Sequence, residues 1–126
     1  GYDLLDLHQG RRRPLARLAA AGEAEPTVGM FRFDEEAVAE GNAAVVAAVR
    51  DGRELIAIDE VGPLECGGGG WAAALQTALR ECTAEQELMI TVRPSLVEKL
   101  PERFPSPWWA GADHISPPWP VVPPPD

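Results

Sequence analysis

Leu55-Ile56-Ala57-Ile58-Asp59-Glu60 is four apolar residues followed at once by two carboxylates. The run ELIAID at 54–59 is short, partly β-branched and bounded by Gly52 and Gly62, which predicts a buried strand. Asp59 then emerges at the carboxyl end of that strand, the edge at which open α/β sheets bind ligands. Upstream, Asp34 is a good N-cap, Glu35 and Glu36 fall in a first turn where the helix dipole favours anions, and Gly52 follows the last turn. Val38, Val45, Val46 and Val49 recur at helical spacing as its buried stripe. Gly41-Asn42 weakens the middle of this helix by roughly 1 kcal/mol relative to Ala, which packing must offset. Downstream, Trp71, Leu75, Leu79 and Cys82 mark a second amphipathic helix over 70–82, ELMITV at 87–92 a further strand, and Ser95–Leu100 a short helix.

The first thirty residues read differently. YDLLDL at 2–7 predicts a strand and RPLARL at 13–18 a weaker one, the return arm of a hairpin. AAAGEAEP at 19–26 is a surface loop, and VGMFRF at 28–33, apolar on both faces, a partly buried strand. The order from residue 28 is strand–helix–strand–helix–strand, spaced for crossovers in a mainly parallel sheet, so the fold class is α/β. Residues 1–100 are expected to form one folded unit. From Pro101 the pattern collapses: nine of the last 26 residues are proline, so 101–126 is a Pro/Trp-rich segment ending in an extended or disordered tail. Trp108, Trp109 and Trp119 there either cover apolar surface or serve as a docking motif.

Bulk composition narrows the functions. A net charge of -9 argues against general nucleic-acid binding, which needs clustered Lys and Arg. The basic run Arg11-Arg12-Arg13 is read as a solvated turn, with a phosphate-binding patch as the alternative. Cys66 and Cys82 belong to no Cys/His cluster, which argues against zinc, and two free thiols fit a reducing cytoplasm. His8 and His114 are turn or surface residues. No apolar run reaches the ~18 residues that span a bilayer, and no signal-peptide pattern is present. The opening Gly1-Tyr2-Asp3-Leu4, without an initiator Met, reads as an interior cut through a domain.

The pair Asp59-Glu60 carries the chemistry. A strand-end Asp can hold Mg²⁺ beside the β- and γ-phosphates of a nucleotide, and Mg²⁺ prefers few protein ligands and several waters. Glu60 is placed to orient or deprotonate an attacking water. The bland alternative is a solvated strand end.

IDEVGPLE at 58–65 resembles the signature of the THEP-type nucleoside-triphosphatases, a P-loop family in which the segment reads like IDEIGKMEL. GYDLLDL at 1–7, RRRPLAR at 11–17, VGMFRFDEEAVAE at 28–40 and ITVR at 90–93 are similar, in the same order, to further stretches of that family. The resemblance covers residues 1–93. It implies a partial P-loop, Rossmann-like three-layer sandwich, with Asp59 as the Walker B magnesium residue and Glu60 as the catalytic base. Glu65 matches the acidic residue that follows in the motif, as a site residue or as a first-turn helix carboxylate. Arg17 and Arg93 are candidate phosphate ligands, with surface ion pairing as the alternative; Arg93 stands where the family has a His-like residue.

The resemblance lacks one part. A phosphate cradle of the form G-x-x-x-x-G-K-[ST] does not occur in these 126 residues. Gly67-Gly68-Gly69-Gly70 is followed by Trp71 rather than Lys, and is read as a flexible connection, with an anion site formed by free amides as the alternative. The expected function is therefore Mg²⁺-dependent hydrolysis of a nucleoside triphosphate, ATP or GTP, in a domain of which this chain is the Walker B part, with little turnover alone. The rival is a non-catalytic α/β remnant, an interaction module with its Pro/Trp-rich tail as the contact surface, which self-association through an exposed sheet edge would favour.

Overall fold

The computed structural model describes residues 1–23, 28–116 and 124–125. β1 (Tyr2–Asp6), β2 (Arg11–Leu18) and β3 (Phe31–Phe33) form an antiparallel sheet in that order. The Asp6 carboxylate accepts from the backbone amides of His8 and Gln9 at 2.9 and 3.0 Å, which closes the turn between β1 and β2. The expected hairpin is present, and β2 begins earlier than its apolar pattern because Arg11 and Arg12 pair with Asp6 and Leu5. The strand expected over 28–33 shortens to three residues plus an isolated bridge at Val28, because Gly29 turns the chain with φ +58°. Residues 19–23 lie outside any strand, as the loop reading requires; 24–26 lie outside the described residues.

α1 (Glu35–Arg50) starts where its cap predicts: the Asp34 side chain accepts from the Ala37 amide at 2.7 Å. The basic run, expected as a solvated turn, opens β2 instead, and carboxylates in the first two turns of α1 take up Arg11 and Arg13. Arg13 reaches Glu40 at 2.7 Å and Glu36 at 3.2 Å, Arg11 reaches Glu40 at 2.8 Å, and Arg12 pairs with Asp3. The Arg11 and Arg13 guanidinium groups tie β2 to α1, and the Arg12 pair lies within the sheet. The buried stripe of α1 is narrower than its valines suggest: Ala37, Gly41 and Val49 are buried, whereas Val38, Val45 and Val46 are half-buried.

β4 (Leu55–Val61) and β5 (Glu87–Val92) pair in parallel, joined through α2 (Pro63–Cys66) and α3 (Ala72–Glu81). Ile56, Ile58 and Val61 face a core made with Leu75, Ala78 and Leu79 of α3 and Val49 of α1. The fold is α/β with both parallel and antiparallel pairing. The sheet is not mainly parallel, contrary to what its spacing implied: β3 pairs with β2 instead, leaving one parallel pair among the described residues. The three-layer sandwich is likewise not complete among the described residues. α1 and α3 cover one face of β4–β5, and the other exposes Leu55, Ala57 and Met89, so β4 is buried on one side only.

The C-terminal segment packs further than its prolines suggest. A 3₁₀ turn (Pro94–Lys99) runs into α4 (Leu100–Arg103), and a second 3₁₀ turn spans Pro107–Gly111. Leu100 and Phe104, each 2% exposed, sit in the core with Ile58, Val61 and Leu75. Trp109 packs beside them and donates its indole N–H to the Phe104 carbonyl at 2.7 Å. Trp108 is exposed, and Trp119 with most of the expected tail lies outside the described residues. Among the described residues no helix is long and apolar enough to cross a membrane.

Candidate functional site

The parallel ladder between β4 and β5 runs in register from Leu55↔Glu87 to Ile58↔Ile90, then resumes at Val61↔Val92. Two residues of β4, Asp59 and Glu60, therefore stand opposite one residue of β5, Thr91. This is a β-bulge, a device that bends a strand and re-aims its side chains. In a regular strand, consecutive residues point to opposite faces, and one of the two carboxylates would be turned into the core. With the bulge, Asp59 and Glu60 are both exposed while Val61 returns to the interior. The Asp59–Glu60 peptide is cis.

Each carboxylate has one partner from the end of β5. The Thr91 hydroxyl donates to Asp59 Oδ1. The Arg93 guanidinium donates through Nε to Glu60 Oε1 at 3.1 Å. Asp59, Glu60, Thr91 and Arg93 thus form one cluster at the carboxyl ends of two adjacent parallel strands. Beside it lies a groove of about 360 Å³ between the facing edges of β1 and β4, whose lining includes Leu4, Leu7 and Trp71 and the carboxylates Asp6, Glu40 and Asp59.

Mg²⁺ takes oxygen ligands, retains several waters and is often bound through one or two carboxylates. The donor set fits that pattern: Asp59 is exposed, and its Oδ2 has no protein partner among the described residues. It does not fit an all-protein cage, since no group of three or more His, Cys, Asp or Glu side chains gathers among the described residues.

The other sequence candidates lie elsewhere. Arg17 is on β2, in the separate antiparallel sheet, and its guanidinium grips Glu23 at 2.6 and 3.0 Å. That contact first, then the Ala20 amide, lowers the Glu23 carboxyl to about 2. Glu65 is 5% exposed and its carboxylate is fully engaged: Oε2 accepts from the Gly62 amide at 2.9 Å and Oε1 from the Trp71 amide at 3.2 Å. It occupies the first turn of α2 and ties α2 to the start of α3, the alternative named for it above.

The glycine run is neither a flexible connection nor a free anion cradle. The amides of Gly67, Gly68 and Gly69 donate to the carbonyls of Pro63, Glu65 and Leu64 at 2.9–3.0 Å. A Cβ on Gly70, which has φ +53°, would lie 2.2 Å from the Glu65 carboxylate. These glycines form a tight turn pressed onto α2. His8 lies in the β1–β2 turn, and His114 contacts only Ser116 at 3.1 Å among the described residues. Both cysteines are free, and burial raises the Cys82 thiol above its ordinary value. Sequence reading missed Thr91, because its relation to Asp59 depends on the register of two strands rather than on any local pattern.

A family model described as NTPase matches residues 1–106. That match extends past residue 93, where the motif resemblance ended, and takes in α4 and Phe104. Among characterised proteins, the nucleoside-triphosphatase THEP1 of Pyrobaculum aerophilum is 38% identical over 79 residues, which make up 63% of this chain and 42% of that protein. The matched stretch thus spans less than half the length of that relative. No solved structure matches the chain.

Proposed function

Because the chain belongs to the NTPase family, we propose that it carries the metal-holding and water-activating part of a site that hydrolyses nucleoside triphosphates to diphosphate and phosphate. The observation that carries this reading is the bulge, which turns Asp59 and Glu60 outward together at a strand end. Asp59 would hold Mg²⁺, directly or through water, by its unpartnered Oδ2. Bound there, the cation would neutralise charge developing on the transferred phosphoryl group. Glu60 would orient the attacking water in line with the terminal phosphorus and accept its proton. Arg93 holds Glu60 in place before substrate arrives and is the nearer of the two candidate phosphate ligands; Arg17, on the far sheet, is proposed only as an ion-pair residue.

Positioning and charge neutralisation supply most catalysis in this class, and a G-x-x-x-x-G-K-[ST] loop ordinarily provides much of both. The turnover of these 126 residues by themselves is therefore expected to be slow. Calorimetry with Mg²⁺ and a slowly hydrolysed ATP analogue tests the assignment. Magnesium-dependent binding should be lost in Asp59→Ala and kept in Glu60→Gln. Equal binding by the parent and Asp59→Ala would remove Asp59 from the site.

A second reading, self-association as an interaction module, is favoured by one observation: the groove-side edges of β1 and β4 have no strand partner among the described residues. Open edges invite pairing. Sedimentation showing a concentration-independent monomer would dismiss it.

A further inference from the structure

Thr91 is the residue that faces the bulge. It lies on an exposed part of β5 and contributes nothing to the core, so burial does not account for it. Its hydroxyl is committed to Asp59 Oδ1, across 32 positions of sequence. The second oxygen of that carboxylate has no protein partner among the described residues. A carboxylate at an exposed strand end is free to turn about both of its side-chain torsions, and a hydrogen bond from the neighbouring strand removes that freedom.

From this arrangement we infer that Thr91 is a positioning residue for Asp59, holding Oδ1 so that Oδ2 is presented to a divalent cation. The inference rests on the proposed role of Asp59 and adds to it a residue that acts on the cation only through another side chain. Because Thr91 belongs to β5, cation affinity then depends on the β4–β5 register, and β5 becomes part of the site without supplying a ligand. Partners that hydrogen-bond a ligating carboxylate typically change metal affinity by about 10- to 100-fold when removed. Here the bond is open to water, so the low end of that range, about tenfold, is the expected size.

The test uses the full chain and Mn²⁺ as the probe, titrated by electron paramagnetic resonance in the presence of adenosine 5′-(β,γ-imido)triphosphate. Thr91→Val keeps the shape of the side chain and removes the donor, and should weaken Mn²⁺ binding about tenfold. Thr91→Ser restores the hydroxyl and should return binding to near the parent level. In an Asp59→Ala background, Thr91→Val should change nothing further, since it acts through Asp59. Thermal melts of each variant should coincide with the parent, which separates positioning from loss of fold. Unchanged Mn²⁺ binding in Thr91→Val, or an equal loss in the Asp59→Ala background, would overturn the inference and leave the Asp59 assignment intact. Parent-like binding by Asp59→Ala, or no Mn²⁺ binding by the parent, would instead refute the assignment of Asp59, and the inference with it.

Discussion

Asp59 and Glu65 come from one short motif, and their surroundings give them opposite work. Asp59 is exposed with an oxygen to spare; Glu65 is buried with both oxygens held by backbone amides. Removing Glu65 leaves the buried Gly62 amide and the part-buried Trp71 amide without their acceptor. Glu65→Ala should therefore lower unfolding free energy by about 2–3 kcal/mol, read from urea denaturation. Asp59→Ala, by contrast, should change stability by less than about 0.5 kcal/mol, as surface substitutions do. The Arg17–Glu23 pair gives a pH-dependent counterpart. The folded-state value for Glu23, about 2, lies below its ordinary 4.5, chiefly because of the hydrogen bond from Arg17. Its stabilising contribution is thus complete above the ordinary value and lost as pH falls from there toward 2. A carboxyl NMR titration should place the Glu23 midpoint near 2, and Arg17→Ala should move it back up toward the ordinary range.

Helix α1 shows how an unfavourable local residue becomes necessary once the helix packs. Gly41 costs roughly 1 kcal/mol of helix propensity against Ala. A Cβ at that position would, however, lie 2.6 Å from a ring carbon of Trp71. Overpacking of this kind costs about 1–3 kcal/mol, more than the propensity gained. Gly41→Ala should therefore destabilise the protein in urea despite the better helix former, and a smaller side chain at position 71 should recover the gain. The adjacent Asn42 adds a second constraint: its Oδ1 accepts from the Ala74 amide and its Nδ2 donates to the Gly70 carbonyl, both at 2.8 Å, securing the start of α3. The ends of α1, the span of α3 and the positions of β4 and β5 were legible in the sequence, because caps and apolar spacing are local signals. The meeting of Glu60 with Arg93 was not legible, since Arg17 and Arg93 looked alike as candidates and only the pairing of β4 with β5 brings Arg93 to Glu60. The bulge was not legible, because two successive carboxylates look the same whether a strand ends, continues or bulges. Nor was the glycine turn, whose shape is fixed by contact with Leu64 and Glu65. The pairing of β3 with β2 is a long-range contact that apolar periodicity does not record.

At the scale of the whole molecule, the core crosses the boundary that composition drew at residue 100. Phe104 is buried against Ile58, Val61 and Leu75, so residues beyond Leu100 complete the hydrophobic interior. Phe104→Ala should cost about 3–5 kcal/mol, measured as a shift of the urea midpoint, and should expose the underside of β4. The two sheets themselves do not pair; α1 packs against β1 and β2 and also against β4 and α3. An assembly joined in this way can open in portions, each with its own free energy. Backbone amides of β1, β2 and β3 should then exchange with deuterium as one block, at lower protection than those of β4, β5 and α3, when followed by mass spectrometry. Local melting of the hairpin sheet would leave Asp59, Glu60 and Thr91 in register, so the acidic strand end would keep its shape through fluctuations that dissolve three of the five described strands around it.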